Sequence, residues 1–248
     1  MKLVVKHLEN EQAQLRQCEF IQWLENSDVS PDDRLSFVPS MLFFIMGFKD
    51  ILSSAHIENP RNELEHLIST HCEEDLDHWE WYISDLQTLG FDRWGEDLFK
   101  FSSQIWSNDS KAARELVYKL FNYHYTKPSL ILDLVLIEVL EATFGAFSDA
   151  MEKCVKEAGR FEELKFFGAI HKEAEENHTS GSWVENGEVE DIILKFELTE
   201  SERLLATEMI GNVFSMFEDM FAMWLKTSDE YKSVKQNTTK LVDSQLHL

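Results

Sequence analysis

Four of the nine histidines fall into two pairs of identical spacing, His71 with His78 and His171 with His178. Seven residues is two turns of an α-helix, so at about 100° per residue the members of each pair lie within roughly 20° of one face. The second pair encloses a carboxylate, His171-x3-Glu175-x2-His178, and steps of four and three residues put all three side chains on adjacent turns. Imidazole and carboxylate together suit iron, manganese or zinc, and the absence of nearby cysteines argues against a structural zinc site. Cα atoms seven residues apart on a helix are separated by about 10.5 Å, too far for easy joint ligation of one ion. Such a pair can instead serve two ions roughly 3.5–4 Å apart, one from each side. Two helices carrying the same pair suit a dinuclear centre.

The apolar pattern supplies the direction in which these groups face. Leu164, Phe167, His171, Ala174 and His178 form one continuous stripe, and Leu64, Leu67, His71, His78 and Tyr82 form another. Each core-facing stripe turns into histidine partway along, with Glu175, Glu74 and Asp75 close beside it. Taken singly, any of these histidines reads as an ordinary core or surface residue. Placed together on buried stripes they must be paired or ligated, because an unsatisfied buried polar group costs several kcal/mol. The helix Ser129–Asp149 offers Asp133, Glu138 and Glu141 as further carboxylates. Glu141 is the choice, since it shares a stripe with Leu134, Gly145 and Ser148 while Leu132, Val135, Leu136, Val139 and Leu140 fill the opposite side. Glu138 and, on the first histidine helix, Glu74 are the alternates. Tyr82 and His124 are the candidates to line a substrate pocket, with ordinary packing the competing reading for the run His78–Tyr82 and a structural role for His124.

The elements that must position these groups are helical. Ser30-Pro31-Asp32 and Asn59-Pro60 place a capping side chain before a proline, opening helices near 31–55 and 60–89, and Gly90 closes the second. Further helices are expected from Asn108-Asp109 to about Tyr123, from Lys127-Pro128-Ser129 to about Lys156, and from Gly159 to about Asn177. The capping box Thr199-Glu200-Ser201-Glu202 opens a last helix ending near Lys226, with a polar tail from about 228. No segment alternates long enough to make a strand of consequence, so the fold class is all-α.

With 248 residues, 9 Gly, 4 Pro and no low-complexity tract, residues 1–248 read as a single domain able to bury a large core. Asp and Glu number 46 against 23 Lys and Arg, a formal charge of −23 spread along the chain. Such a surface repels phosphate backbones and anionic lipid, which excludes nucleic acid and acidic membranes as expected partners. Cys18, Cys72 and Cys154 are odd in number and widely spaced, the pattern of reduced thiols rather than of a secreted disulfide framework. The apolar run at Met1–Lys6 is too short for a signal peptide and that at Phe37–Phe48 too short to span a bilayer, so the expected location is cytoplasmic.

Two motifs resemble the heme-oxygenase-like family, within it the non-heme iron oxidases and the TENA/THI-4 and PqqC-like proteins. One is His78-Trp79-Glu80-Trp81-Tyr82, with its histidine twelve residues before Gly90 and Leu89-Gly90 ending the helix; the other is His171-x3-Glu175-x2-His178. Glu141 falls between them, where the family places a further ligand carboxylate, and the order of helices fits over most of the chain. The resemblance implies a multi-helix bundle of seven to nine helices and a non-heme diiron centre of ferrous iron, with manganese as the alternative metal. It also implies dioxygen and a small organic substrate as partners, the substrate often an amino-acid or fatty-acid derivative; a homodimer is left open. Two positions depart from the family pattern. His71 stands where the diiron members carry a glutamate, which leaves Glu74 to supply a bridging carboxylate, and Glu175 stands where aspartate is usual. The expected function is therefore a dioxygen-activating oxidase or oxygenase. The alternatives are a TENA/THI-4-like hydrolase of a thiamin-related pyrimidine, and a non-catalytic binding protein on the same scaffold.

Overall fold

The computed structural model describes residues 1–91, 98–177 and 194–245. The elements in chain order are α1 (Lys2–Leu15), α2 (Glu19–Glu25), the single turn α3 (Pro31–Arg34), a 3-10 turn (Val38–Met41), α4 (Leu42–Ala55) and α5 (Glu63–Asp75). They continue with α6 (His78–Thr88), α7 (Leu98–Trp106), α8 (Lys111–Thr126), α9 (Ile131–Glu157), α10 (Ala169–Asn177) and α11 (Glu200–Gln245). Nine of the helices have nine residues or more, and there is no strand among the described residues, so the chain folds as an all-α multi-helix bundle.

The bundle is organised around α9, which is buried without a break from Ile131 to Thr143 and packs against α1, α2, α5, α8 and α11. The expected division of this helix into a stripe around Glu141 and an opposite apolar side is therefore not what is seen. A helix surrounded on all sides is apolar all round, and its few carboxylates stand out for that reason.

Local capping chemistry sets several boundaries as expected. The Ser30 hydroxyl accepts from the Asp33 N–H (3.2 Å) at the start of α3. At the start of α11 the Thr199 hydroxyl accepts from the Glu202 N–H (3.2 Å) while the Glu202 carboxylate accepts from the Thr199 N–H (2.8 Å). Gly90 and Gly159 close α6 and α9 with φ of 79° and 69°, the left-handed conformation glycine adopts without a Cβ penalty.

Other boundaries differ. The stretch 31–55 is broken into α3, the 3-10 turn and α4, with Pro39 inside the break, where it cannot donate to a continuing helix. Pro31–Ala55 is long and apolar enough by composition to cross a membrane, but half of its most apolar window is buried inside the bundle. The helix expected over 60–89 is interrupted at Leu76-Asp77. The break leaves Glu73, Glu74 and Asp75 in the last turn of α5, where no basic residue offsets them and the helix dipole opposes them. The break ends α5 and puts Asp77 and Glu80 at the N-terminus of α6, where negative charge is favoured. The helix expected from Gly159 begins only at Ala169, and α11 runs on to Gln245 because neither glycine nor proline follows Lys226 to stop it.

Candidate metal centre

A break at Leu76-Asp77 separates α5 from α6 within the site. His71 and Asp75 lie one turn apart on α5, and His78 is the first residue of α6, so the two histidines are not on one continuous helix as their spacing predicts. Two groups of potential ligands result. His71, Asp75 and Glu141 of α9 form the first, and His78, His171 and Glu175 the second; within each group the ligand atoms all lie within 4.8 Å of one another.

Asp75 stands between the two groups. His71 Nε2 is 3.2 Å from Asp75 Oδ2 and 3.1 Å from Glu141 Oε1. The other oxygen of the same carboxylate, Asp75 Oδ1, is 3.3 Å from His78 Nδ1. In the second group His171 Nε2 lies 2.9 Å from Glu175 Oε1, and the His78 and His171 rings approach to 4.4 Å between centroids. The Phe166 carbonyl, 2.8 Å from His171 Nδ1, accepts the proton on that nitrogen and leaves Nε2 facing the site. A carbonyl that accepts from the far ring nitrogen is the means by which proteins orient a ligating imidazole. Trp81 stacks on the His78 ring at 4.3 Å.

The electrostatics are those of ionisable groups paired in the interior. Burial alone would lower the basicity of His71, but the Glu141 and Asp75 carboxylates outweigh it and hold the imidazolium well above its usual range. Burial pushes the Glu141 carboxyl up to about 7 in spite of the pull of His71. Asp75 is also penalised by burial, yet its contact with His71 is stronger and keeps it below the ordinary carboxylate range. His171 is raised because Glu175 overcomes the opposing effect of burial. Three imidazoles and three carboxylates thus share one interior region.

This region forms one end of a cleft of about 700 Å³ of atom-free space, partly open to solvent. Asp75, His78, Glu141, His171 and Glu175 line it, with His71 behind them. Its remaining walls are largely aromatic, with Phe44, Phe48, Phe144, Phe147, Phe221 and Trp224 among them; Lys49 is the only lysine or arginine among the described residues lining it.

Of the residues singled out from the sequence, His71, His78, Glu141, His171 and Glu175 come together, whereas His178 lies outside the described residues. Glu138 is buried and Glu74 half-buried, but neither belongs to either group. Tyr82 does not line the cleft; its ring packs on Phe166 and Phe167, and its hydroxyl donates to the Val38 carbonyl (2.8 Å), tying α6 to the 3-10 turn. His124 is also away from the cleft. Its Nδ1 is 3.0 Å from Asp133 Oδ1, and Lys127 Nζ is 2.8 Å from Asp133 Oδ2, so the three residues join the end of α8 to the start of α9. The residue that sequence reasoning set beside the histidine stripe but did not count among the ligands is Asp75. Its signal was present, because His71-x3-Asp75-x2-His78 repeats the four-and-three spacing of His171-x3-Glu175-x2-His178. No protein-family model matches the chain, and no curated protein proves similar to it.

Proposed function

We propose that the chain is a non-heme iron protein of the heme-oxygenase-like kind, with a dinuclear centre at which dioxygen is activated to oxidise or oxygenate a small organic molecule. The observation that carries this reading is the position of Asp75, one oxygen towards each of two His/carboxylate groups. The donor set fits iron, with manganese as the alternative, being nitrogen and oxygen without thiolate. Six ionisable groups gathered in the interior also gain from a cation, which would relieve the repulsion among their carboxylates.

His71 and Glu141 would hold one ion, His78, His171 and Glu175 the other, and Asp75 would face both. Bound ferrous iron would supply electrons for the reduction of dioxygen. The protein's own part is to exclude water and hold the substrate: the aromatic walls take an apolar body, and the site opens to that cleft through Asp75, His78, Glu141, His171 and Glu175. Glu141 has to release its proton on ligation, since a bound carboxylate is ionised. A cytoplasmic setting accords with the three free cysteines.

Anaerobic titration of metal-free protein with ferrous iron tests the reading. Two equivalents are expected, falling to about one on His171→Ala and below one on Asp75→Asn, with dioxygen consumed on admission of air. Binding of less than one equivalent, unchanged by these substitutions, would overturn it. The thiamin-degrading alternative needs an ionised thiol, and burial opposes that, pushing Cys72 up to about 12 and Cys154 up to about 11. A non-catalytic binding protein would be indifferent to the metal, and the same titration separates it from the oxidase.

A further inference from the structure

Between α9 and α10 the chain follows no regular helix from Arg160 to Gly168, yet this segment has to aim the His171 ring at the site. Its support comes from α6. Asp85, fully buried at 0% exposure and seven residues after His78, accepts the Lys165 N–H at Oδ1 (2.7 Å) and the Phe167 N–H at Oδ2 (3.0 Å). Between these two clamped amides lies the Phe166 carbonyl, the acceptor of the His171 Nδ1 proton at 2.8 Å. The chain is drawn tight just beyond the clamp, because a Cβ at Gly168 would meet the Leu164 and Phe161 carbonyl oxygens at 2.2 and 2.3 Å.

We propose that Asp85 is a positioning residue for the second metal position: by clamping residues 165–167 it fixes the orientation and tautomer of His171 and so controls loading at the His78–His171–Glu175 group. The proposal rests on the dinuclear reading above. A ring that protonates Nε2 instead of Nδ1 has no lone pair facing the site, so whatever holds the Phe166 carbonyl in place governs the affinity of that position. The same helix also begins with His78, so α6 sets both imidazoles of the group. One carboxylate holding two backbone amides is a stiffer support than a single contact, because it fixes the peptide plane as well as its distance.

The test is an anaerobic ferrous-iron titration of the full chain and its variants. Wild type is expected to bind two equivalents, while Asp85→Asn, which leaves one of the two amides without an acceptor, keeps the first and loses at least tenfold in affinity for the second. The double variant Asp85→Asn/His171→Ala is expected to bind no worse than His171→Ala alone, since a residue that acts through His171 has nothing left to act on. Arg160→Ala serves as the control. Arg160 Nη2 donates to the Thr88 carbonyl (2.6 Å) and ties down the same segment without touching residues 165–167, so two equivalents should remain. Retention of both equivalents at wild-type affinity in Asp85→Asn, or a further loss in the double variant, overturns the proposal. The metal-free wild type gives a second reading that does not depend on a variant folding: nitrogen-15 shifts of the His171 ring at alkaline pH should show the Nδ1–H tautomer, and the Nε2–H tautomer would refute the relay. If wild type binds no iron, the dinuclear reading fails by itself, and the tautomer measured in Asp85→Asn against wild type still decides whether Asp85 orients the ring.

Discussion

Metal-free protein should lose stability as the pH is raised from 5 to 8, with Glu141, His71 and His171 all contributing to the loss. In the folded protein this carboxyl titrates at about 7, against an ordinary 4.5, because it is buried. The folded state therefore binds a proton that the unfolded state has released, and stability falls with rising pH between those two values. A displacement of that size corresponds to about 3 kcal/mol. His71 acts in the same direction. Its pKa is raised in the fold, so its stabilisation is complete below the ordinary 6.5 and declines as the pH climbs towards the folded value. Asp75, held low, contributes stability that is lost only in acid below its ordinary 3.8, which leaves a maximum near pH 5. Urea denaturation of metal-free wild type and Glu141→Gln at pH 5, 6, 7 and 8 isolates the effect from the general charge of −23, which both proteins very nearly share. The fall in the variant should be smaller by about 3 kcal/mol. With ferrous iron, or manganese as an air-stable substitute, the slope should weaken or reverse, since ligation releases the same protons. Equal slopes in wild type and Glu141→Gln would refute the electrostatic reasoning, because the proton would then reside elsewhere.

Three further outcomes follow from the packing. Gly168→Ala should destabilise the protein by about 2–3 kcal/mol and weaken binding of the second iron equivalent, as the clashing atoms are backbone carbonyls that cannot swing aside; unchanged melting and stoichiometry would show that the segment yields. Tyr82→Phe removes the donor to the Val38 carbonyl and should cost about 1–2 kcal/mol, with iron stoichiometry and dioxygen consumption unaffected; a loss of turnover without a loss of stability would return Tyr82 to the substrate pocket. Thiol titration of the native protein at pH 8 should label no more than Cys18, and all three cysteines after denaturation. Rapid native labelling of Cys72, whose thiol burial pushes up to about 12, would contradict its enclosed placement.

Much of the architecture was legible in the chain because it depends on neighbours in sequence. Ser30, Thr199, Gly90 and Gly159 act through their own turn, and they begin or end helices where the sequence places them. His71, His78, His171 and Glu175 were singled out by their spacing, although neither expected stripe is one continuous helix: the first is interrupted at Leu76-Asp77, and Leu164 and Phe167 of the second lie in the irregular segment before α10. Glu141 was legible only as one of three carboxylates on a long helix. Which of the three reaches His71 depended on how α9 is turned within its ring of neighbours, and Asp133 and Glu138 went elsewhere. The break at Leu76-Asp77 was hidden because regular spacing presumes an unbroken helix, and although the spacing of His71, Asp75 and His78 was legible, that Asp75 turns one oxygen to each imidazole was not. Tyr82 and His124 show the same limit, since an aromatic or imidazole on an inward face is equally suited to a cavity or to a structural hydrogen bond. Sequence alone determined which residues could ligate and that helices would carry them, because period and capping are local. Tertiary structure decided which of them meet, because contact between residues far apart in the chain depends on the packing of whole helices.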